Sequence, residues 1–389
     1  MKQLRISPMD LLVHSAMYSG AIARMLEELL SGRGFWTPKA KTAITIPPSE
    51  KDVCVRYVRI IYDLHLAWDL LSLPPEALAK VAAWVGAIRE SLAKTSEDSE
   101  EAMSACDKML KKVFAYEKFG AGYRPRIVEG DNRVVCRWED CSDVWSAWHF
   151  IKHLNVRACV YCNAETVFSL QLNGSIPGEK RKFAEVVVNE EDDEEEDANP
   201  LRKRSALDHF WGHSEYPYLA MSLYNLVPAC TRCNTNIKGA RRTVYGEYVH
   251  PYEVSLDEGV EFSAIYDKIK FHELSDSDIH LKVLPRQRIP RCVADQARKS
   301  AEFFHLEEVY NQLHKADAAD VIRNATFVPR EYRRWLDATY PMISTVCRDR
   351  MQWGVSLDPK EINEHILAKM TIDLHRQFIP HNSPLRGFP

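Results

Sequence analysis

No stretch of this chain comes near the roughly 18 consecutive apolar residues that a membrane-spanning helix needs. The longest candidate, Met9 to Leu30, is broken by Asp10, His14, Arg24, Glu27 and Glu28. It also lacks the apolar core and cleavage pattern of a secretory leader, so a cytoplasmic location and no membrane partner are expected. No internal repeat is found. Net positive charge is missing too, and a formal charge of −4 would ordinarily argue against a nucleic-acid partner. That figure misleads, because eight carboxylates follow one another from Glu190 to Asp197, and the chain without them is slightly basic. A disulfide framework is not expected either. In a reducing compartment the ten cysteines read better as metal ligands wherever they occur as C-x-x-C pairs.

What is present is a globular composition, 46% hydrophobic and 27% charged over 389 residues, which allows two or three domains. Apolar residues at helical spacing (Leu11, Leu12, Ala16, Ile22, Met25, Leu26, Leu29, Leu30) predict a helix over residues 8–31, opened by Ser7-Pro8 and closed by Gly32 and Gly34. Further helices are predicted after Pro47-Pro48-Ser49, from Pro75 to about Leu92, and from about Glu100 to Phe114. Residues 1–125 thus form a helical unit for packing or partner docking, with nothing in it that looks catalytic. Arg133 to Arg137 reads as a strand and Ser142 to Leu154 as a helix whose Trp145 and Trp148 are core residues. Residues 189–204, acidic and then basic, are expected to be a disordered surface insertion. Tyr245 to Tyr252 and Val260 to Phe271 are strand candidates. Helices return at Val293 to Asn311, Asp317 to Asn324 and Pro359 to Gln377.

Two pairs carry the first chemical signal: Cys159-Val-Tyr-Cys162 and Cys230-Thr-Arg-Cys233. Two such knuckles supply four thiolates, which close a tetrahedral zinc site and leave no position open for hydrolysis. Zinc is therefore expected as a structural metal. Cys136 and Cys141 are rival ligands with wider spacing. The second signal lies between and around the knuckles: Asp208-His209-Phe210, then Asn225-Leu-Val-Pro-Ala-Cys230, then Cys233-Asn234 and Lys238-Gly239. At a strand end, Asp208 can hold a hard cation while the His209 imidazole reaches a water. A helix beginning near Ala229 would bring Asn234 to the same cation. One carboxylate, one amide oxygen and waters suit Mg²⁺ or Mn²⁺. Arg232, Arg241 and Arg242 could grip phosphates, and His250 could add a metal or phosphate contact.

These residues resemble the HNH, or ββα-metal, endonuclease family in its zinc-knuckle form. The resemblance implies that His209 is the general base and Asp208 and Asn234 the ligands of a catalytic divalent ion. It makes Asn225 the brace of the loop that orients the histidine. Lys238 resembles a phosphate-contacting lysine, displaced by one residue, and His213 stands where a lysine is frequent. Ser214-Glu-Tyr-Pro, Leu223-Tyr-Asn-Leu-Val-Pro and His250-Pro-Tyr extend the likeness to the PtuB-like nucleases of Septu and retron anti-phage systems, across roughly residues 145 to 315. Those act beside an ABC-type ATPase, so a partner protein of that kind is implied. The expected architecture is α+β: a helical region over 1–125, a zinc-stabilised ββα-metal domain over 126–290, and a helical region over 291–389. The expected reaction is metal-dependent hydrolysis of DNA or structured RNA. The competing expectation is a zinc-knuckle module that binds nucleic acid or a partner without cutting.

Overall fold

A computed structural model describes residues 1–38, 42–48, 51–95, 98–130, 133–172, 199, 201–266, 279–327, 330–343 and 345–378. The protein is mixed α+β. Its chain forms two compact units, each drawn from more than one stretch. The first comprises Arg5–Asn155 and Phe168–Val227. The second comprises Met1–Leu4, Val156–Val167 and Pro228–Pro389. Among the described residues no helix is long and apolar enough to cross a membrane.

The first unit opens with α1, Pro8–Leu30. It starts where expected for a local reason: Ser7 is extended, its hydroxyl accepts the Asp10 N–H at 3.1 Å, and Pro8 occupies the first turn. It stops at two glycines with positive φ, and a Cβ on Gly34 would sit 2.3 Å from the Ile44 carbonyl oxygen. Helices α2 (Lys51–Trp68), α3 (Pro75–Ala93) and α4 (Ser99–Val113) follow, then the short α5 (Tyr116–Ala121). Their core is Tyr18, Ile22, Leu26, Tyr57, Val58, Ile61, Leu78, Val85, Met103 and Leu110, all nearly inaccessible. Strands β1 (Tyr123–Gly130) and β2 (Arg133–Asp140) pair antiparallel from Tyr123 against Asp140 to Gly130 against Arg133.

Helix α6 is shorter than its sequence pattern, Ala147–Leu154. The Asp140 carboxylate accepts both the N–H and the hydroxyl of Ser142 and holds the preceding residues in a turn. Strand β3 (Ser169–Gln171) pairs antiparallel with β4 (Arg202–Arg204). The basic end of the predicted disordered insertion is therefore strand. Arg202 also lies 4.9 Å over the Trp148 ring and pairs with Asp143 at 3.1 Å, which anchors it. The acidic part, 189–198 with 200, lies outside the described residues. Strand β5 (Ala206–His209) pairs with β6 (Leu226–Ala229), along which the chain passes into the second unit.

In the second unit, Arg232–Lys238 is a π-helix, entered from Thr231. Tyr245 to Tyr252 is a set of turns rather than the predicted strand, with one bridge from Tyr245 to Tyr248. Gly246, at φ 84°, reverses the chain where a strand would have to run on. After α7 (Leu256–Gly259), strands β7 (Val260–Tyr266) and β8 (Ile279–Pro285) pair antiparallel. The end of the predicted strand, 267–271, lies outside the described residues. The predicted helix from Val293 to Asn311 is two, α8 (Arg291–Phe303) and α9 (Leu306–Leu313), broken where His305 takes φ 50°. Helices α10 (Lys315–Phe327), α11 (Arg330–Thr339) and α12 (Thr345–Trp353) follow, then a 3₁₀ turn at Pro359–Glu364 and α13 (Ala368–Phe378). The α13 residue Lys369 is fully buried and meets Asp257 at 3.0 Å and Asp373, while Arg286 meets Asp373 at 3.0 Å and Asp257 at 3.3 Å. Buried charges persist only when paired in this way.

Candidate functional site

The four knuckle cysteines come together in the second unit. Cys159, Cys162, Cys230 and Cys233 are all buried, and their sulfurs lie within 4.8 Å of one another. Cys162 and Cys230 sulfurs are 3.9 Å apart. Zinc–sulfur bonds of about 2.3 Å in a tetrahedron place sulfurs about 3.8 Å apart, so the spacing fits a zinc ion. The surrounding main chain fits as well. The N–H groups of Ala164, Cys230 and Cys233 donate to the sulfurs of Cys162, Cys159 and Cys230, each at 3.4 Å. Such donors stabilise thiolates.

The turn that presents the first pair is fixed by Asn163, which adopts φ 55° and is fully buried. Its amide donates to the Ile362 carbonyl at 2.8 Å, and its oxygen accepts the Lys369 N–H at 2.9 Å. The Tyr310 hydroxyl donates to the Cys162 carbonyl at 2.8 Å, and Tyr161 stacks on Phe304 at 4.2 Å. Hydrogen bonds from Cys159, Cys230 and Cys233 push the Cys162 thiol down. Cys230 and Cys233 are pushed up, first by their bonds with Cys159. One buried negative charge thus resists the next, a conflict that a divalent cation at the centre removes. The rivals Cys136 and Cys141 lie in the first unit, where burial raises their thiols to about 12 and about 11.

The histidine site is built in the first unit. His209 ends β5 and is 7% exposed, beside the equally enclosed Asp208. Its Nε2 lies 3.0 Å from the Ala220 carbonyl oxygen. A carbonyl only accepts, so Nε2 carries the proton and Nδ1 the basic lone pair. The Tyr116 ring meets the imidazole edge-on at 4.4 Å, and the exposed His213 ring lies at 5.0 Å. Asn225, fully buried, ties the loop between β5 and β6 together. Its oxygen accepts the Trp211 N–H at 2.7 Å, and its amide donates to the Trp211 carbonyl at 3.0 Å and the Leu219 carbonyl at 2.9 Å.

The other predicted residues belong to the second unit. Asn234 is half-buried on the π-helix, and its carbonyl accepts the Gly239 N–H at 2.9 Å. π-helical turns are rare and cluster at functional sites. Lys238, at the end of the same helix, is buried. Arg232 is turned toward the knuckle, pairing with Glu165 at 3.0 Å and donating to the Cys162 sulfur at 3.9 Å, so it serves the cysteine cluster rather than the surface. Arg241 and Arg242 are exposed, and Arg241 lies 4.2 Å over the Phe303 ring. His250 is 2% exposed, and burial lowers its pKa to about 3, so it is a neutral core imidazole with no charge to offer a phosphate.

Two features escaped the sequence. Glu361, Glu364 and His365 place ligand atoms within 4.8 Å of one another, half-buried, with Glu361 paired to Arg350 at 3.0 Å. The polar face of α1 also has partners. Asp10, His14 and Tyr18 recur every fourth residue and bond His153, Trp145 and the Tyr123 carbonyl. That i, i+4 run of polar residues inside an apolar stripe was the available signal. Compared with protein-family models, with curated proteins and with solved structures, the chain has no match.

Proposed function

We propose that the chain is an HNH-type endonuclease: a phosphodiester hydrolase in which His209 is the general base and zinc, held by four cysteines, is structural. The observation that carries this reading is the fixed tautomer of His209. Its Nε2 proton is donated to the Ala220 carbonyl, so the basic Nδ1 is the atom that takes a proton from an attacking water. Water's oxygen then bonds to phosphorus as the bond to the leaving oxygen breaks; the leaving oxygen takes a proton from solvent, and the imidazolium returns one to solvent. Asn225 holds the loop that supplies this carbonyl. Asp208, adjacent in β5, provides the carboxylate suited to a hard cation. Mg²⁺ or Mn²⁺ bound there would neutralise charge on the scissile phosphate and leaving oxygen. Exposed Arg241, Arg242 and His213 offer cationic or polar contacts to the backbone of a nucleic acid. The anti-phage setting and an ABC-type ATPase partner belong to the same proposal, since an unrestrained nuclease would harm its own cell.

The test is incubation of the purified protein with plasmid DNA and with total RNA, in Mg²⁺ or Mn²⁺ and in EDTA. Cleavage that needs the divalent ion is the expected result, and it also identifies the substrate class. Cleavage that persists unchanged in EDTA would overturn the assignment of the cation.

A further inference from the structure

The loop between β5 and β6 has an unusual feature: three consecutive main-chain carbonyls are each taken by a different side chain. The Leu219 oxygen accepts from Asn225 at 2.9 Å, the Ala220 oxygen from His209 at 3.0 Å, and the Met221 oxygen from His14 at 2.8 Å. Asn225 and His209 are near neighbours in sequence, but His14 comes from α1, some two hundred residues away.

The state of His14 follows from its partners alone. The Trp145 indole, which can only donate, lies 3.0 Å from Nδ1, so that nitrogen is the acceptor. Nε2 therefore carries the proton, and the Met221 carbonyl accepts it. The ring is 0% exposed, wedged between Tyr18 at 4.9 Å and Phe119 at 4.8 Å. Burial lowers its pKa to about 4, so it stays neutral and keeps one tautomer. Peptide groups are planar and joined only at Cα atoms. Fixing the carbonyls on both sides of Ala220 therefore restricts the direction of the Ala220 oxygen, which is the atom that sets the His209 tautomer. Tyr116 against the His209 ring adds a second contact from the same helical region.

We propose that His14 is a positioning residue for His209: through the Met221 carbonyl it aims the Ala220 carbonyl, and so holds the His209 base in one orientation and one tautomer. The helical region that precedes the histidine site is then part of it, not an appendage. The catalytic consequence rests on the nuclease reading, whereas the geometric claim does not.

The experiment compares the full chain with His14→Phe and His14→Gln, each labelled with ¹⁵N-histidine, by NMR and in the cleavage assay. Glutamine can accept from Trp145 and donate to Met221, and phenylalanine can do neither. The wild type should show His209 protonated at Nε2, and His14→Phe should show mixed His209 tautomers while the His250 signals stay put. His14→Gln should restore the wild-type pattern. Turnover should fall about tenfold or more in His14→Phe, with KM little changed, and recover in His14→Gln. Identical His209 signals in all three proteins would overturn the proposal. If His209→Ala left cleavage intact, the nuclease reading would fail while the spectra still decided the role of His14. Should His14→Phe not fold, the wild type suffices: a His14 that titrates near its ordinary value, or carries its proton on Nδ1, would also overturn the proposal.

Discussion

Replacing Cys162 by serine tests the metal centre at its most connected point. Its sulfur lies 3.9 Å from Cys230, accepts the Ala164 N–H at 3.4 Å, and faces the Arg232 guanidinium at 3.9 Å. Structural zinc sites contribute roughly 10–16 kcal/mol of apparent binding energy. A typical domain holds only about 5–15 kcal/mol of net stability. Losing even about 5 kcal/mol of that should lower the unfolding midpoint by roughly 10–20 °C in a unit of this size. Because thiolates are the ligands, acidification should release the metal in the wild type as well. Zinc content per chain and thermal unfolding are the assays, with Cys136→Ser as the control, since Cys136 lies in the other unit. One zinc in the wild type and in Cys136→Ser, with none in Cys162→Ser and a collapsed midpoint, is expected. A Cys162→Ser protein that keeps its zinc and its midpoint would refute the four-sulfur site.

Asn225→Asp keeps the side-chain size but turns the amide that faces the Trp211 and Leu219 carbonyls into an acceptor. It should cost about 3 kcal/mol in denaturant unfolding, and an unchanged midpoint would reject the brace. His14 binds its proton less well when folded, at about 4 against an ordinary 6.5, so the unfolded chain takes up more protons between those values. Stability should therefore fall as pH drops from 6.5 toward 4, by about 3 kcal/mol from this group. His14→Gln should flatten that fall in a urea series, and an equal slope in both proteins would count against it. Burial raises the Asp257 carboxyl, but Lys369 and Arg286 outweigh it and leave it below the usual range. Lys369→Met should then cost about 3–5 kcal/mol at pH 7, with the deficit shrinking below about pH 4 as the Asp257 carboxylate that loses this partner protonates. A deficit independent of pH would show that the lysine acts by packing alone.

How far the sequence could be read depended on how local the cause was. Helix α1 begins at Pro8 because Ser7 caps it and ends because Gly32 and Gly34 follow, all of which is visible in the sequence. The four knuckle cysteines were legible for the same reason, since each pair is a local turn with a recognisable spacing. Asn225 stood out in the sequence only through a resemblance; what the structure adds is its three bonds to Trp211 and Leu219 within the loop. What stayed hidden depends on distant partners. The strand predicted at Tyr245–Tyr252 becomes turns around Gly246, and Arg202–Arg204 becomes strand because β3 supplies a partner. Arg232 reads as a phosphate ligand until Glu165 and Cys162 are seen beside it. His14 sat in an apolar helix as one more polar interruption. Only the fold brings Trp145 and Met221 to its two nitrogens.

The central claim is that His209 acts on the scissile phosphodiester rather than merely filling the loop. Its most direct test measures binding and cleavage of one labelled nucleic acid by the wild type and by His209→Ala, in Mn²⁺. A general base contributes about 10²- to 10⁴-fold, so His209→Ala should bind with affinity within about twofold of wild type and lose nearly all turnover. Equal cleavage by the two proteins would contradict the account and leave the zinc-knuckle binding module as the better description.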